Sequence, residues 1–206
     1  KSDYFVQEIA GKRKAFYRTL YWDTADAQMY IIHHDRKLNR QKIRVREYVE
    51  SNLTFLEIKN KSNKGRTKKI RISVPDENIK SHEDAVDFIN KSAKYGIDEI
   101  SGRLRNQFSR ITLVNKGKTE RLTIDISIKF ENCVTGNKNT IPALCIVEVK
   151  RDGNVYSPFT SYMADFRIKK KSISKYCLGM ILTDPGLKKN RFKMKLRYIE
   201  KKKKKK

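Results

Sequence analysis

In the stretch Lys42-Ile43-Arg44-Val45-Arg46-Glu47-Tyr48, cationic and apolar side chains alternate. Successive side chains of a β-strand point to opposite faces. This stretch is therefore predicted to be a strand with its cations on one face and its apolar side chains on the other. Four further segments repeat the pattern. Their polar faces carry Glu57, Lys59 and Lys61; Lys69 and Arg71; Arg121, Thr123, Asp125, Ser127 and Lys129; and Glu148 and Lys150.

The repetition of this pattern favours one fold class. On a single strand, alternation is typical of the solvated face of a flat sheet, where polar residues are mixed. Five strands with charged faces instead indicate an α+β fold built on a closed or nearly closed antiparallel β-barrel. We expect a polar, basic lumen and an apolar outer face covered by helices. Cations crowded in such a lumen repel one another, and a linear phosphate chain would compensate them.

The remaining elements follow from turn signals and helical periodicity. We predict a strand at 14–22, and we expect Asp23 and Thr24 to begin a short helix at 25–32. A three-stranded meander follows at 41–49, 53–61 and 66–74, and then a helix at 81–92. A hairpin at 106–114 and 120–129, a polar loop at 132–139, a strand at 143–151 and helices between 157 and 182 complete the prediction.

The composition indicates a polyanionic partner. The 206 residues include 48 Lys and Arg against 23 Asp and Glu, a formal net charge of +25. Removing the six lysines at 201–206 still leaves +19, so the folded part is basic as well. Length and composition predict one domain at 1–186 and a basic, partly disordered tail at 187–206.

The cysteines and the hydropathy indicate the cellular compartment. Cys133, Cys145 and Cys177 are odd in number and lack metal-type spacing, which favours a reducing compartment without disulfides. The adjacent His33 and His34 have no partner at metal spacing either, so we do not expect them to be ligands. No run of about eighteen apolar residues occurs, so we expect the chain to be soluble and cytoplasmic.

Two carboxylates stand among the cations, and each has two interpretations. Glu57 and Glu148 are either ion-pair partners or ligands of a divalent metal ion, since hard cations prefer carboxylate oxygens.

A set of motifs in a fixed order resembles the VTC domain of polyphosphate polymerases, in the superfamily of triphosphate tunnel metalloenzymes that also includes the CYTH-like proteins. The motifs are Leu20-Tyr21-Trp22-Asp23-Thr24, the stretch at 42–48, Phe55-Leu56-Glu57-Ile58-Lys59-Asn60-Lys61, Phe108-Ser109-Arg110, Arg121-Leu122-Thr123-Ile124-Asp125, Ile146-Val147-Glu148-Val149-Lys150 and Ser174-Lys175-Tyr176-Cys177-Leu178-Gly179. The resemblance extends over about residues 14–183. Family members usually have a further strand and helix before this region, and the sequence leaves little room for them.

The resemblance implies a function and a set of site residues. A tunnel of this kind transfers the terminal phosphoryl group of ATP to a growing polyphosphate chain with Mn²⁺ or Mg²⁺. Carried over by position, the catalytic candidates are Lys59, Arg110 and Arg121, and the metal ligand is Glu148. The phosphate-binding candidates are Arg44, Arg46, Lys69, Arg71, Ser174 and Lys175, to which the alternating pattern adds Lys61 and Lys150.

Two other functions remain open from the sequence. An inorganic triphosphatase would use the same tunnel with water as the acceptor. A non-enzymatic binder of polyphosphate or of nucleic acid, the latter through the lysine tail, would explain the charge alone. Basic residues at period two on strands are less typical of nucleic-acid binders than basic helices or exposed aromatic platforms, so this third hypothesis ranks last.

Overall fold

A computed structural model describes residues 3–151, 153 and 155–203 of the chain. The strands are β1 Tyr4–Val6, β2 Lys14–Thr24, β3 Arg40–Tyr48, β4 Leu53–Lys61, β5 Thr67–Ser73, β6 Ile100–Asn115, β7 Glu120–Asn132, β8 Lys138–Ile141 and β9 Ile146–Arg151. The helices are α1 Gln28–His34, α2 Glu83–Ser92, α3 Pro158–Asp165, α4 Lys175–Thr183 and α5 Lys193–Lys203. This is the α+β class that the sequence predicts.

The nine strands form one antiparallel sheet. Its order is β5-β4-β3-β2-β6-β7, and the far edge of β7 pairs with β9 along its first half and with β8 along its second half. The short strand β1 pairs with the end of β6, beyond the part that β2 occupies. Within the described residues, no pairing joins β5 to β8 or β9, so the ladder is open along one side.

The sheet is strongly curled. Lys59 on β4 interacts electrostatically with Glu148 and Lys150 on β9, although five strand-to-strand steps separate β4 from β9. Adjacent strands lie about 4.8 Å apart, so a flat sheet would put these side chains more than about 20 Å apart, well beyond the screening length of roughly 8 Å. The two ends of the sheet therefore face each other across a concave, tunnel-like interior.

The convex face carries the first core, as the alternating pattern predicts. Ile43 and Val45 of β3 and Leu56 and Ile58 of β4 pack there with helix α2. The helix buries Ala85 and Ile89 against the sheet and begins with two acidic residues, which favour a helix N-terminus.

A second core lies on the concave face, where α4 closes one end of the interior. Its residues Tyr176 and Met180 pack with Leu104, Phe108 and Phe130 of β6 and β7. Phe130 reaches this face because β7 contains a bulge. Gln107 pairs with Lys129, and regular pairing would place Ser109 opposite Ser127, but Ser109 pairs with Ile126, so β7 has one extra residue here. Ser127, at φ 54°, is part of this irregularity. The predicted face of β7 therefore holds for Arg121, Thr123 and Asp125 but reverses after the bulge, so Ser127 and Lys129 are exposed.

The predicted junction between β2 and α1 is present, but the helix begins at Gln28 and not at residue 25. The Asp23 carboxylate, fully buried, accepts hydrogen bonds from the N–H groups of Met29 at 2.9 Å and Tyr30 at 3.0 Å. The Tyr176 hydroxyl of α4 donates to the same carboxylate, and Thr24 Oγ1 accepts from the N–H of Gln28. Asp23 therefore fixes α1 and α4 to the end of one strand.

Three elements were not predicted. The strands β1 and β8 are short, and β8 lies in the segment 132–139 and just beyond, where we predicted a loop. Most of the predicted tail is helical: after a 3-10 turn at Asn190–Phe192, α5 extends to Lys203, and Phe192 and Ile199 are buried against the second core. The boundary at residue 186 stays a prediction. None of the helices in the described part of the chain has the length and apolar character needed to span a bilayer.

Candidate functional site

The concave face of β3, β4 and β5 carries a row of three lysines. Lys42 lies directly opposite Lys59, and Lys59 lies directly opposite Lys69. Like charges placed opposite each other on adjacent strands are destabilising. Lys42 and Lys59 have no carboxylate within ion-pair distance in the part of the chain that the structure describes. Burial and the neighbouring Arg44 lower the pKa of Lys59, and burial lowers the pKa of Lys42. We call these three residues the lysine row; its chemistry calls for an anion.

The next row along the same strands contains a buried carboxylate between two arginines. Arg44 lies opposite Glu57, which lies opposite Arg71. Arg44 Nε donates to Glu57 Oε2 at 2.6 Å, and Lys69 donates to the other carboxylate oxygen. Burial alone would raise the pKa of Glu57, but the Arg44 charge and the Lys69 hydrogen bond outweigh it and lower the pKa to about 2. Glu57 is therefore an ion-pair partner that holds two cations in place.

Two aromatic rings lie beneath the guanidinium groups of Arg46 and Arg110. Tyr17 and Phe108 stack with their ring centroids 5.2 Å apart. The guanidinium groups of Arg46 and Arg110 lie 5.1–5.8 Å from these two rings, within the range of cation–π attraction. Arg46 is almost fully buried and also donates to Thr19 Oγ1 at 3.2 Å. The rings hold the charged groups in place without neutralising them.

A second buried carboxylate, Asp125 on β7, also holds two cations. Arg110 donates to it through Nε and Nη2 at 2.6 and 2.8 Å, and Lys175 at the start of α4 donates to one of its oxygens. Burial raises the pKa of Asp125, but the Arg110 hydrogen bonds and the Lys175 charge lower it below its usual value. Ser174 caps α4 by accepting from the N–H of Cys177, and it accepts from Lys42 Nζ at 2.9 Å. The start of α4 therefore joins the lysine row.

The wall formed by β7 and β9 carries an exposed carboxylate, that of Glu148. Glu148 lies opposite Thr123, and Lys150 lies opposite Arg121. The Glu148 side chain is 56% exposed, and Lys150 Nζ is 3.8 Å from its carboxylate. Across from it, the buried hydroxyl of Thr123 has no hydrogen-bond partner in the described structure. The described residues contain no group of three or more His, Cys, Asp or Glu that could bind a metal ion by themselves.

The structure brings most of the sequence-predicted site residues to one concave surface. This surface, which we call the tunnel site, holds Lys59, Lys69, Arg44, Arg46, Arg71, Arg110, Lys175, Ser174, Glu148, Lys150 and Arg121. Arg71 stacks on Phe55, with its guanidinium 4.3 Å from the ring centroid. Lys61 lies apart, opposite Arg40 at the end of β3 and β4. The roles of these residues stay predictions.

Several residues of the tunnel site were not among the predicted site residues. Lys42 and Asp125 shared the polar faces of their strands, so the alternating pattern contained the signal for both. Tyr17 and Phe108 carried no such signal, because their place below the arginines depends on how β2 and β6 pair.

A comparison with protein-family models matches residues 2–183 to the VTC domain. The chain belongs to the VTC domain family. None of the curated proteins compared with it matches. A proposed adenylyl cyclase from Hippeastrum, for which a dominant triphosphatase activity is described, is 14% identical; the match covers 84% of each chain with a TM-score of 0.50. This similarity shows the fold, that of the triphosphate tunnel proteins.

Two further solved structures match at lower similarity. A proposed adenylate cyclase from Vibrio parahaemolyticus is 9% identical over 85% of this chain and 84% of that one, with a TM-score of 0.45. A protein from Pyrococcus horikoshii is 12% identical over 87% and 88% of the two chains, with a TM-score of 0.41.

Proposed function

We propose that this VTC domain transfers the terminal phosphoryl group of ATP to the end of a polyphosphate chain. In this step the bond between the γ-phosphorus and the bridging oxygen breaks, a terminal oxygen of the acceptor chain forms the new bond to phosphorus, and ADP leaves. The observation that carries the proposal is the lysine row, three cations placed opposite one another in a VTC domain. A bound phosphate chain would remove their repulsion.

The arginines are suited to holding the phosphates in line. A guanidinium group presents a planar fork that fits two phosphate oxygens, and Arg44, Arg46 and Arg110 are each held in place by a hydrogen bond or ion pair. Phosphoryl transfer depends mainly on positioning and on stabilising negative charge. Fixed cations supply both without reorganising during the reaction.

The tunnel site also fits a divalent metal ion. Mg²⁺ is usually held by one or two carboxylates together with substrate phosphates and water, and Mn²⁺ has similar ligand preferences. Glu148 is accessible, and the unpartnered Thr123 hydroxyl lies opposite it. We propose Glu148 as the metal ligand. The metal would neutralise charge on the phosphate oxygens.

The test is incubation with ATP and Mn²⁺, followed by detection of polyphosphate on a gel. The Glu148→Gln variant keeps the size of the side chain and removes its charge. We expect polyphosphate synthesis to fall at least 100-fold while metal-free binding of tripolyphosphate is unchanged or tighter, because a repelling charge is gone. The control is Glu50→Gln, which lies outside the tunnel site. Full Mn²⁺-dependent synthesis by a folded Glu148→Gln variant would exclude the metal role.

An inorganic triphosphatase is the second candidate. The activity described for the Hippeastrum protein of the same fold favours it. In that reaction water attacks the terminal phosphorus in place of a chain end. Release of orthophosphate from tripolyphosphate, with no polyphosphate formed from ATP, would favour the hydrolase over the polymerase.

A further inference from the structure

A basic cavity lies outside the tunnel site, at the ends of β3 and β4. Its volume is about 460 Å³, and we call it the rim pocket. Its basic lining residues are Arg40, Lys61, Arg66, Lys68 and Lys94. All of its lining residues belong to the described part of the chain, and none of them is Asp or Glu.

The rim pocket shares Arg40 and Lys61 with the cationic rows of β3 and β4, whereas its other strand residues Gln41, Asn60 and Lys68 alternate to the convex side. Arg40 and Lys61 lie opposite each other, one row beyond Lys42 and Lys59 on the same strands. Residues advance by about 3.4 Å along a strand, so the cations from Arg46 to Arg40 extend over roughly 20 Å. A linear anion lying on these rows would reach the rim pocket at Arg40.

The other cations of the pocket lie around the strand ends. Lys68 is opposite Asn60, so by alternation it faces the convex side, away from the tunnel site. The side-chain NH₂ group of Gln41 donates to the side-chain oxygen of Asn60 at 2.7 Å, and the side-chain oxygen of Gln41 accepts from the backbone N–H of Lys94 at 3.0 Å. This amide pair therefore anchors the segment that carries Lys94 beside the strand ends.

We propose that the rim pocket binds the distal phosphates of a polyphosphate chain whose end occupies the tunnel site. This inference rests on the proposed substrate class. The cavity has many times the volume of roughly 30 Å³ that one water molecule occupies. Its five cations exceed what a single phosphate group needs, whereas a polyphosphate chain brings about one negative charge per phosphate. Arg40 and Lys61 join the two surfaces at the ends of β3 and β4, where a chain leaving the concave face would turn towards Lys68 and Lys94.

The test compares a short with a long ligand. Lys68 and Lys94 are exposed and lie outside the tunnel site, so the Lys68→Ala/Lys94→Ala double variant should fold normally, as checked by its thermal melt. By calorimetric titration with Mn²⁺ omitted, we expect its affinity for tripolyphosphate to stay within twofold of wild type. We expect its affinity for polyphosphate of about 60 units to fall at least tenfold, with a shallower dependence on salt.

The matched control is Lys80→Ala/Lys116→Ala, which removes the same charge from exposed positions outside the pocket. Equal losses in the two double variants would mean that only overall charge matters, and would overturn the proposal. Loss of tripolyphosphate binding in the first variant, or an equal loss for a single-stranded oligonucleotide of the same length, would overturn it too. Binding is measured here without turnover. A failure to detect polyphosphate synthesis would therefore count against the polymerase proposal without changing the outcome of this binding test.

Discussion

Replacing Glu57 by Gln tests whether the tunnel site is built to receive an anion. Glu57 is 1% exposed and binds Arg44 and Lys69. Its pKa is lowered from the usual 4.5 to about 2. Each pKa unit corresponds to about 1.4 kcal/mol, so the ionised carboxylate contributes about 3 kcal/mol to folding at neutral pH. Breaking a buried pair from one side costs a similar amount, about 3–5 kcal/mol.

We therefore expect Glu57→Gln to lower the free energy of unfolding by about 3 kcal/mol at pH 7 without ligand, measured by urea denaturation. For a chain of this size the melting temperature should fall by about 6–12 °C. A depressed carboxyl pKa stabilises the fold above pH 4.5, and this stability is lost as the pH falls towards 2. The variant lacks that contribution, so its stability should depend less on pH in this range.

Tripolyphosphate supplies the second half of the test. If the phosphates of the ligand pair with Arg44 and Lys69 in place of Glu57, tripolyphosphate should stabilise Glu57→Gln more than wild type at the same ligand concentration, because the stabilisation grows with the logarithm of the ligand concentration divided by its Kd. The control is Glu47→Gln, since Glu47 forms an exposed pair with Arg18 at 2.9 Å and such pairs contribute at most about 1 kcal/mol. A variant as stable as wild type, or equal stabilisation of both by the ligand, would refute the reasoning.

Three further substitutions test the site and the core. Lys59→Ala should weaken tripolyphosphate binding by about 1.5–3 kcal/mol, the value of a charged hydrogen bond, without lowering the stability of the ligand-free domain; unchanged affinity by calorimetry would exclude Lys59 from the site. Asp23→Ala leaves buried N–H groups of α1 unpaired and should cost at least about 2 kcal/mol in urea denaturation. Gly179→Ala should be destabilised by about 1–3 kcal/mol, because its new methyl would lie 2.4 Å from Leu104 and 2.5 Å from Phe130; an unchanged melting temperature would contradict this.

The period-two pattern predicted β3, β4, β5, β9 and the first half of β7 with their faces, because charged and apolar side chains alternate without interruption there. It missed β8, whose sequence Lys-Asn-Thr-Ile at Lys138–Ile141 offers a single buried apolar residue. It also missed the bulge at Ser127, because a non-glycine residue in the left-handed region leaves no composition signal. In the segment predicted as a tail, the density of lysines concealed Phe192 and Ile199, which are buried against the second core.

The cations that β3, β4, β5 and β9 contribute to the tunnel site were predictable because each faces the same side of its strand as its neighbours, whereas Arg110 and Lys175 were candidates only through the family resemblance. Their partners were not, since the pairing of Arg110 with Asp125 depends on the register between β6 and β7. The position of Lys175 depends on α4 packing against the concave face, which follows from tertiary contacts of Tyr176 and not from local sequence.

The three concave-face carboxylates described above differ in what already surrounds them, and this difference supports the roles that we propose for them. Glu57 and Asp125 are buried and each accepts hydrogen bonds from two cations. A metal ion could bind either one only by displacing those cations, which would leave buried charges unpaired at a cost of several kcal/mol. Glu148 is exposed and its nearest cation, Lys150, is 3.8 Å away, so a divalent ion can approach it without breaking a short ion pair. We therefore propose that Glu57 and Asp125 position the phosphate-binding cations, and that Glu148 is available to share a metal ion with the phosphates.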